Sequence, residues 1–238
     1  MPGRTATRKV PKSLLPRLIS FDSEIRKLCQ QSEQLTLLDL SNENFSKTIS
    51  VIGLDEVGRG CLAGPVVAAA VELPELDPDS QAGRSLSKLN DSKLLAAEER
   101  LHLSSIIKEI AVYAVAEASV EEIDSINILQ ASLLAMKRAR QSIASVSPAV
   151  LLVDGNKRIP GLGDRQLTVV KGDSKSASIA AASIIAKVHR DSFMCELSKS
   201  FPEYFWHDNK GYASDQHREA IRSHGITPWH RRSFNMEY

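Results

Sequence analysis

Two adjacent acidic residues, Asp55 and Glu56, follow a strand-like apolar run and precede the segment Gly58-Arg59-Gly60. Burying adjacent carboxylates inside an apolar element costs free energy unless a cation or hydrogen bonds compensate for it. A core strand has no need of this acidic pair, and a turn has no need of Gly-Arg-Gly after it. The pattern therefore predicts a metal site beside a surface where the main chain approaches a polyanion.

Two further acidic residues, Asp154 and Asp173, each follow a predicted strand. Functional groups of such sheets gather beyond the carboxyl ends of the strands, and neighbouring strands lie about 4.8 Å apart. Clustered carboxylates repel one another without a counter-charge, and hard oxygen ligands select Mg²⁺ or Mn²⁺. If their strands are neighbours, Asp55 and Asp154 could share one such ion, with Glu56 reaching round from the margin, and Asp173 could add a third or fourth carboxylate. Two ions about 3.5–4 Å apart can activate water and stabilise a leaving oxygen in phosphodiester cleavage.

Each acid also has a purely structural alternative. Asp55 and Glu56 could form a strand-end turn with Arg59 as their ion-pair partner. Asp154 lies in an ordinary Asp-Gly-Asn turn sequence, and Asp173 could be the N-cap of the helix that follows. Taken singly, these alternatives are strong, so the prediction depends on the acids acting together.

The elements that must position these residues alternate in type from Ser50 onward. Consecutive strands followed by strand–helix alternation predict an α/β fold with a mixed sheet and helices packed on it. Successive strand side chains point to opposite faces, so we expect the first strand to end or bulge at Asp55-Glu56. Strands are predicted over 51–56, 66–73, 112–120, 149–153 and 167–170, a polar loop over 76–91, and helices over 21–31, 96–110, 126–144, 176–200 and 214–224.

Composition bounds the class of protein. The 238 residues, 42% of them hydrophobic, suffice for one substantial core, and the net charge of +1 means that any basic footprint must be local. Three scattered cysteines argue against a zinc or disulfide framework, and no apolar stretch is long enough to span a bilayer. We expect a cytoplasmic protein without membrane contact. Residues 1–48 are predicted as a basic, partly disordered extension, with a loosely ordered arm to about residue 20 and a connector over 42–47.

Seven motifs in order along residues 50 to 235 resemble ribonuclease HII, and an ordered set is far more specific than any one block. The motifs are Gly53-Leu54-Asp55-Glu56-Val57-Gly58-Arg59-Gly60 followed by Gly64-Pro65-Val66-Val67, Asn90-Asp91-Ser92-Lys93, Val153-Asp154-Gly155-Asn156, Lys171-Gly172-Asp173-Ser174, Ala181-Ala182-Ser183-Ile184-Ile185-Ala186-Lys187-Val188 with Arg190-Asp191, Lys210-Gly211-Tyr212 and His230-Arg231-Arg232-Ser233-Phe234.

The resemblance implies an RNase H-like fold, with a mixed five-stranded sheet flanked by helices, over a catalytic domain at 49–238 with a helical C-terminal segment. It implies endonucleolytic cleavage of RNA in RNA–DNA hybrids and incision at ribonucleotides embedded in duplex DNA. The products would carry 5′-phosphate and 3′-hydroxyl ends. The family's four acidic positions fall on Asp55, Glu56, Asp154 and Asp173, which implies an active enzyme that uses Mn²⁺ or Mg²⁺.

The resemblance also implies substrate contacts. The family's Gly-Arg-Gly segment, which contacts the 2′-hydroxyl and adjacent phosphates, falls on Gly58, Arg59 and Gly60, and its junction-sensing tyrosine falls on Tyr212. The physics agrees, because the 2′-hydroxyl distinguishes RNA from DNA and glycine lets the main chain come close to a sugar.

Basic residues outside that segment are weaker candidates. Lys93, Lys171 and Lys187 adjoin family motifs and are predicted to contact phosphates, as is Lys175. Asp191 follows Lys187 by four residues, and we expect a solvated ion pair between them. The segment 206–232 interleaves basic and aromatic residues, and for most of them we favour a solvated helix with Trp229 anchoring the tail.

Two rivals remain open. Ribonuclease HIII normally carries an extra N-terminal substrate-binding domain, for which about 48 residues are too few. A non-catalytic nucleic-acid-binding protein of the same fold would not need four intact acids. We expect a monomer with no obligate protein partner, whose ligands are RNA–DNA hybrids and ribonucleotide-containing duplex DNA.

Overall fold

A computed structural model describes residues 13–37, 49–90, 92–144 and 148–236. Its centre is a mixed five-stranded sheet with strand order β3-β2-β1-β4-β5. Strands β1, β2 and β3 are antiparallel neighbours, whereas β4 and β5 run parallel to β1. The strands span Ser50–Val57 (β1), Val66–Glu72 (β2), Val112–Ala118 (β3), Ala149–Asp154 (β4) and Arg165–Val169 (β5).

Helices cover both faces of the sheet. They span Leu15–Leu37 (α1), Gln81–Ser85 (α2), Ala97–Ile110 (α3), Val120–Ile126 (α4), Ile128–Ser142 (α5), Ala177–Leu197 (α6), Trp206–Asn209 (α7) and Asp215–His224 (α8), with 3₁₀ turns at Ser92–Leu94, Gly172–Ser174 and Pro202–Tyr204. Helices α1, α3 and α6 pack on one face, and α5 packs on the other. The predicted α/β class and mixed five-stranded sheet are confirmed.

Helix α6 lies unusually close to β1 because small residues line both. Its first half reads Ala177-Ser178-Ile179-Ala180-Ala181-Ala182-Ser183, and the facing strand position is Gly53. A Cβ atom built on Gly53 would lie 2.1 Å from the carbonyl carbon of Ser178. The strand that carries Asp55 is therefore in main-chain contact with the helix that follows Asp173.

The N-terminal helix corrects one prediction. Residues 15–20 were expected in a loosely ordered arm, but α1 begins at Leu15, because Leu15 and Leu18 are buried in the same core as α3 and α6. Within the helix predicted over 21–31, the apolar residue Leu28 is 61% exposed. Residues 1–12 and the predicted connector at 42–47 lie outside the described residues.

Buried polar groups join α1 to the rest of the fold. Asp22 accepts hydrogen bonds from the main-chain nitrogen and the hydroxyl of Ser178, both at 2.8 Å, and so caps α6 from outside. Arg26 donates to the carbonyl of Ile49 at 3.2 Å, just before β1. Helix α1 is thus tied both to α6 and to the start of β1.

Three other predictions of local structure need correction. Strand β1 neither ends nor bulges at Asp55-Glu56, because its pairing with β2 continues through Val57 opposite Val67. The predicted polar loop contains α2, whose N-cap Ser80 accepts from the nitrogen of Gly83. The strand predicted over 112–120 ends at Ala118, because helix α4 begins at Val120 with a capping box formed by Ser119 and Glu122. No helix in the described part of the chain is long and apolar enough to cross a membrane.

Candidate active site

Asp55 and Asp154 lie side by side at one edge of the sheet. The parallel register of β1 and β4 pairs Leu54 with Val153, so the next residue of each strand is an aspartate. Asp55 is 6% exposed, and the hydroxyl of Ser183 on α6 hydrogen-bonds to its carboxylate. The main-chain nitrogen of Glu56 donates to Asp55 Oδ1 at 2.8 Å. The sheet topology thus brings together two acids that are about 100 residues apart in sequence.

Asp173 is held beside them by the turn that follows β5. The nitrogen of Gly172 donates to Asp154 Oδ1 at 2.7 Å, so Asp154 anchors the 3₁₀ turn that contains Asp173. A Cβ atom on Gly172 would lie 2.5 Å from Ile179 Cδ1, which excludes a larger residue without rearrangement. Asp173 is 9% exposed and is not the N-cap of α6, since Ser176 accepts from the nitrogen of Ile179.

Glu56 points to the opposite face of the sheet, as alternation along a strand requires. Its side chain is 7% exposed and pairs with Arg59, with Nη1 and Oε1 3.0 Å apart. The salt bridge considered as an alternative from the sequence is therefore present. Glu56 and Asp154 line a cleft beside α5, together with Ser132 and Met136 of that helix.

The four acids share one electrostatic environment. Burial raises the pKa of Asp55 well above its usual range, and the charges of Glu56, Asp154 and Asp173 raise it further. Burial also raises the pKa of Glu56, against the opposing effect of Arg59. Within the described ranges, no three acidic, histidine or cysteine side chains are arranged around a common point as metal ligands. The site therefore concentrates negative charge, while its carboxylates bond to other residues of the same chain.

The Asn90–Lys93 motif reaches this site through a serine. Ser92 Oγ lies 2.9 Å from Ser183 Oγ, and Ser183 in turn bonds to Asp55. Lys93 is exposed, and Asp91 lies outside the described residues. The predicted phosphate contact at Lys93 stays a prediction.

The Gly58–Gly60 loop and Tyr212 meet next to the acids. Gly58 has a φ of 95°, and the Arg59 side chain is 51% exposed. The nitrogen of Leu62 donates to the carbonyl of Gly211 at 2.8 Å, which joins the loop to the segment before Tyr212. Tyr212 is 40% exposed. This hydrogen bond holds the loop next to the segment that precedes Tyr212.

The predicted lysine contacts have different surroundings. Lys187 Nζ lies 5.7 Å from the centroid of the Tyr212 ring and 2.7 Å from Asp191 Oδ1. The Lys187 and Asp191 side chains are 13% and 17% exposed, so the expected ion pair forms but is largely buried rather than solvated. Lys171 and Lys175 are exposed on either side of the turn that carries Asp173.

Sequence reasoning missed a buried polar core behind Tyr212. It favoured a solvated helix for most of 206–232, yet Trp206, His217, His230 and Arg231 are at most 1% exposed. The Trp229 anchor does pack, with its ring 5.4 Å from that of Phe193. The alternation of basic and aromatic residues was the available signal, but it does not reveal which of them point inward.

The two histidines form a chain of hydrogen bonds with a single consistent proton assignment. The nitrogen of Thr227 donates to His230 Nδ1 at 2.9 Å, so the hydrogen of His230 is on Nε2. His217 Nδ1 lies 2.8 Å from the carbonyl of Tyr212 and must donate to it. His217 Nε2 then accepts from Trp206 Nε1 at 3.0 Å and from His230 Nε2 at 3.1 Å. Every donor meets an acceptor only when both rings are neutral.

Burial and neighbouring charge keep these rings neutral. Burial lowers the pKa of His230 to about 4, and the adjacent His217 contributes to the decrease. Burial likewise lowers the pKa of His217, with a further contribution from Arg218. The ring of Tyr204 packs against His230 at a centroid distance of 4.9 Å.

Known ribonucleases are similar to this chain in sequence and in fold. Ribonuclease HII from Parabacteroides distasonis is 52% identical over 185 residues, which cover 77% of this chain and 89% of that protein. The ribonuclease HII in a complex with PCNA from Archaeoglobus fulgidus is 29% identical, with a TM-score of 0.62 over 80% of this chain and 97% of that one. Bst-RNase HIII in complex with Mn²⁺ is 21% identical, with a TM-score of 0.64 over 86% of this chain and 78% of that one, a likeness that concerns the fold.

The structural neighbours place the sheet and its flanking helices in the RNase H-like fold. The family model described as Ribonuclease HII matches residues 52–237, which include all four acids, the Gly58–Gly60 loop and Tyr212. By that match and by its relatives, the chain belongs to the ribonuclease HII family.

Proposed function

We propose that this endonuclease uses divalent metal ions to incise duplex DNA at embedded ribonucleotides and to cleave the RNA strand of RNA–DNA hybrids. The observation that carries the proposal is the position of Asp55, which is buried at the sheet edge with Glu56, Asp154 and Asp173 as charged neighbours. Such a concentration of buried negative charge calls for a cation. Membership of the ribonuclease HII family makes phosphodiester hydrolysis the corresponding reaction.

The donor set fits Mg²⁺ or Mn²⁺, since carboxylate oxygens are hard ligands. The main-chain hydrogen bonds of Asp55 and Asp154 involve Oδ1 of each carboxylate and do not use Oδ2. Glu56 would exchange Arg59 for the ion, which would leave Arg59 to bind a phosphate. When bound, such ions supply an activated water and stabilise charge on the leaving oxygen.

The protein's own residues would hold this arrangement together and select the substrate. Ser183 and the nitrogen of Glu56 orient the Asp55 carboxylate, and the Asp154–Gly172 hydrogen bond fixes the turn of Asp173. The Gly58–Gly60 main chain would contact the 2′-hydroxyl, the group that separates RNA from DNA. Tyr212, exposed beside that loop, would pack on the neighbouring sugar.

The test is cleavage of two duplexes of equal length, one with a single ribonucleotide and one with a continuous RNA strand, in Mg²⁺ and in Mn²⁺. We expect cleavage of both, a cut next to the ribonucleotide with 3′-hydroxyl and 5′-phosphate ends, and no activity in EDTA. Cleavage of the long hybrid alone would favour a ribonuclease HIII-like activity. Tight binding without any cleavage would favour a non-catalytic protein, and cleavage that persists in EDTA would refute metal dependence.

A further inference from the structure

Arg190 on α6 is a buried guanidinium whose hydrogen bonds go to main-chain carbonyls. It is 1% exposed, and it donates to Pro65 at 3.0 Å, to Ala63 at 2.9 Å and to Lys210 at 2.8 Å. Charge-assisted bonds of this kind are stronger and shorter than neutral ones, and the planar fork fixes the directions of all three. A buried cation held in this way sets the relative position of the segments that it joins.

The segments that Arg190 joins are those proposed to read the substrate. Ala63 and Pro65 follow the Gly58–Gly60 loop, whereas Lys210 lies two residues before Tyr212. The guanidinium also lies directly beneath the loop, since a Cβ atom on Gly58 would be 2.2 Å from Arg190 Nε. One side chain therefore touches the loop on one side and the tyrosine segment on the other.

The segment Lys210–Tyr212, called the tyrosine segment here, has an unfavourable main-chain conformation, and residues on the loop side help to hold it. Lys210 and Gly211 have consecutive positive φ values of 50° and 83°, and the first of these is costly for a residue with a side chain. Arg190 binds the carbonyl of Lys210, and Leu62 binds that of Gly211. These two bonds from the loop side add to the local ones, among which the nitrogen of Tyr212 donates to the carbonyl of Asn209 at 2.9 Å.

Arg231 offers a matched comparison within the same site. It is 0% exposed and binds the carbonyl of Gly64 through Nε at 2.9 Å and Nη2 at 2.8 Å, and that of Arg59 through Nη1 at 3.0 Å. Its guanidinium therefore anchors the loop alone. Burial lowers the pKa of Arg231 to about 10, so it remains charged at neutral pH.

We propose that Arg190 is a positioning residue for junction recognition, which fixes the spacing between the Gly58–Gly60 loop and Tyr212 and thereby sets the preference for a single embedded ribonucleotide. Successive nucleotides of one strand rise by about 3.4 Å, so a shift of about 1 Å is a large fraction of the register. A single ribonucleotide needs both contacts in register, whereas a continuous RNA strand offers a 2′-hydroxyl at every position. The inference rests on the proposed roles of the loop and of Tyr212.

The experiment compares Arg190→Lys, Arg231→Lys and Tyr212→Ala with the wild type on the single-ribonucleotide duplex and on the continuous hybrid. The readout is the ratio of the two kcat/KM values, with kcat and KM determined separately. Lysine keeps the charge but not the fork. Arg190→Lys and Tyr212→Ala should each lower the ratio about 10-fold or more, since misplacement by 1 Å can cost about 10²-fold. Arg231→Lys removes an anchor of the loop but no hydrogen bond to the Lys210–Tyr212 segment, so it should reduce both activities and lower the ratio less than Arg190→Lys does.

Thermal unfolding of each variant separates a change in preference from a loss of fold. If Arg190→Lys does not fold, Gly211→Ala replaces it, because a Cβ atom there would lie 2.6 Å from the carbonyl oxygen of Ala63 and wedge the two segments apart. The inference about Arg190 is overturned if the ratio is unchanged in Arg190→Lys, or in Gly211→Ala where that is used instead, while Tyr212→Ala lowers it. That result would leave the proposed role of Tyr212 intact. An unchanged ratio in Tyr212→Ala overturns the proposed reading by Tyr212 and the inference with it.

Discussion

Replacing Gly53 with alanine should separate β1 from α6 and so disturb the acids at the end of β1. The new Cβ atom would lie 2.1 Å from the carbonyl carbon of Ser178, whereas ordinary Cβ contacts begin at 3.4 Å. Strand and helix must therefore move apart by about 1.3 Å. Neither side can yield by rotating a side chain, because the contact is between main-chain atoms.

Two losses, one in stability and one in activity, follow from that displacement. Overpacking of a well-packed core costs about 1–3 kcal/mol in the free energy of unfolding. The same displacement moves Asp55 on β1 relative to Ser183 on α6, which hydrogen-bonds to it. A misplacement of about 1 Å at a reacting centre can cost about 10²-fold in rate, which corresponds to about 2.7 kcal/mol, so activity should fall together with stability.

The assay is kcat/KM for cleavage of the single-ribonucleotide duplex, alongside urea unfolding of the same preparations. Gly163→Ala is the matched control, since a Cβ atom there meets nothing within 4 Å. It should leave stability within about 0.5 kcal/mol of the wild type and cleavage unchanged. A Gly53→Ala enzyme with wild-type stability and activity would refute the close approach of β1 to α6 as the support of the site.

Three further outcomes are expected. The pKa of His230 is about 4 in the folded chain and about 6.5 in the unfolded chain, so the unfolded chain binds more protons between these pH values. The free energy of unfolding should therefore fall by up to about 3 kcal/mol as the pH drops from 6.5 to 4. His230→Gln, measured against the exposed His102→Gln by urea unfolding at each pH, should remove that slope; an equal slope in both variants would contradict the neutral pair. Asp22→Ala should cost about 1–3 kcal/mol in urea unfolding because the main-chain nitrogen and hydroxyl of Ser178 lose their acceptor, and no loss would mean that α1 does not cap α6. Lys171→Ala should lower the slope of log K against log salt for hybrid binding by about 0.9, and an unchanged slope would exclude a phosphate contact at this exposed lysine.

The sequence predicted the sheet well because its strands are apolar runs bounded by turn residues. It placed Asp55 and Asp154 close enough to share an ion if their two strands are neighbours, and the parallel register of β1 and β4 shows that these strands are paired. It missed the start of α1 because Leu15 and Leu18 stand among basic residues and prolines, a composition typical of a disordered arm. They are buried because they enter the core that α3 and α6 share.

The buried arginines and histidines show the limit of sequence reasoning more sharply. A basic residue is normally placed at the surface or against a phosphate, yet Arg190 and Arg231 are buried because they satisfy carbonyls of loops that lie distant in sequence. No local pattern marks such a residue, since its partners are main-chain atoms of any residue type. The neutral pair of His217 and His230 is hidden because its partners, which include the Trp206 side chain, are brought together only by the folded chain.

The central claim is that the acids at the carboxyl edge of β1 and β4 carry the hydrolysis. The most direct measurement is the cleavage rate of the single-ribonucleotide duplex by Asp55→Asn and Asp154→Asn in Mg²⁺ and Mn²⁺, with the exposed Asp79→Asn as control. Because metal ions supply several kcal/mol of charge stabilisation, we predict losses of at least about 10²-fold in both site variants, with folding largely preserved, and none in the control. Wild-type cleavage rates in both site variants would contradict the account.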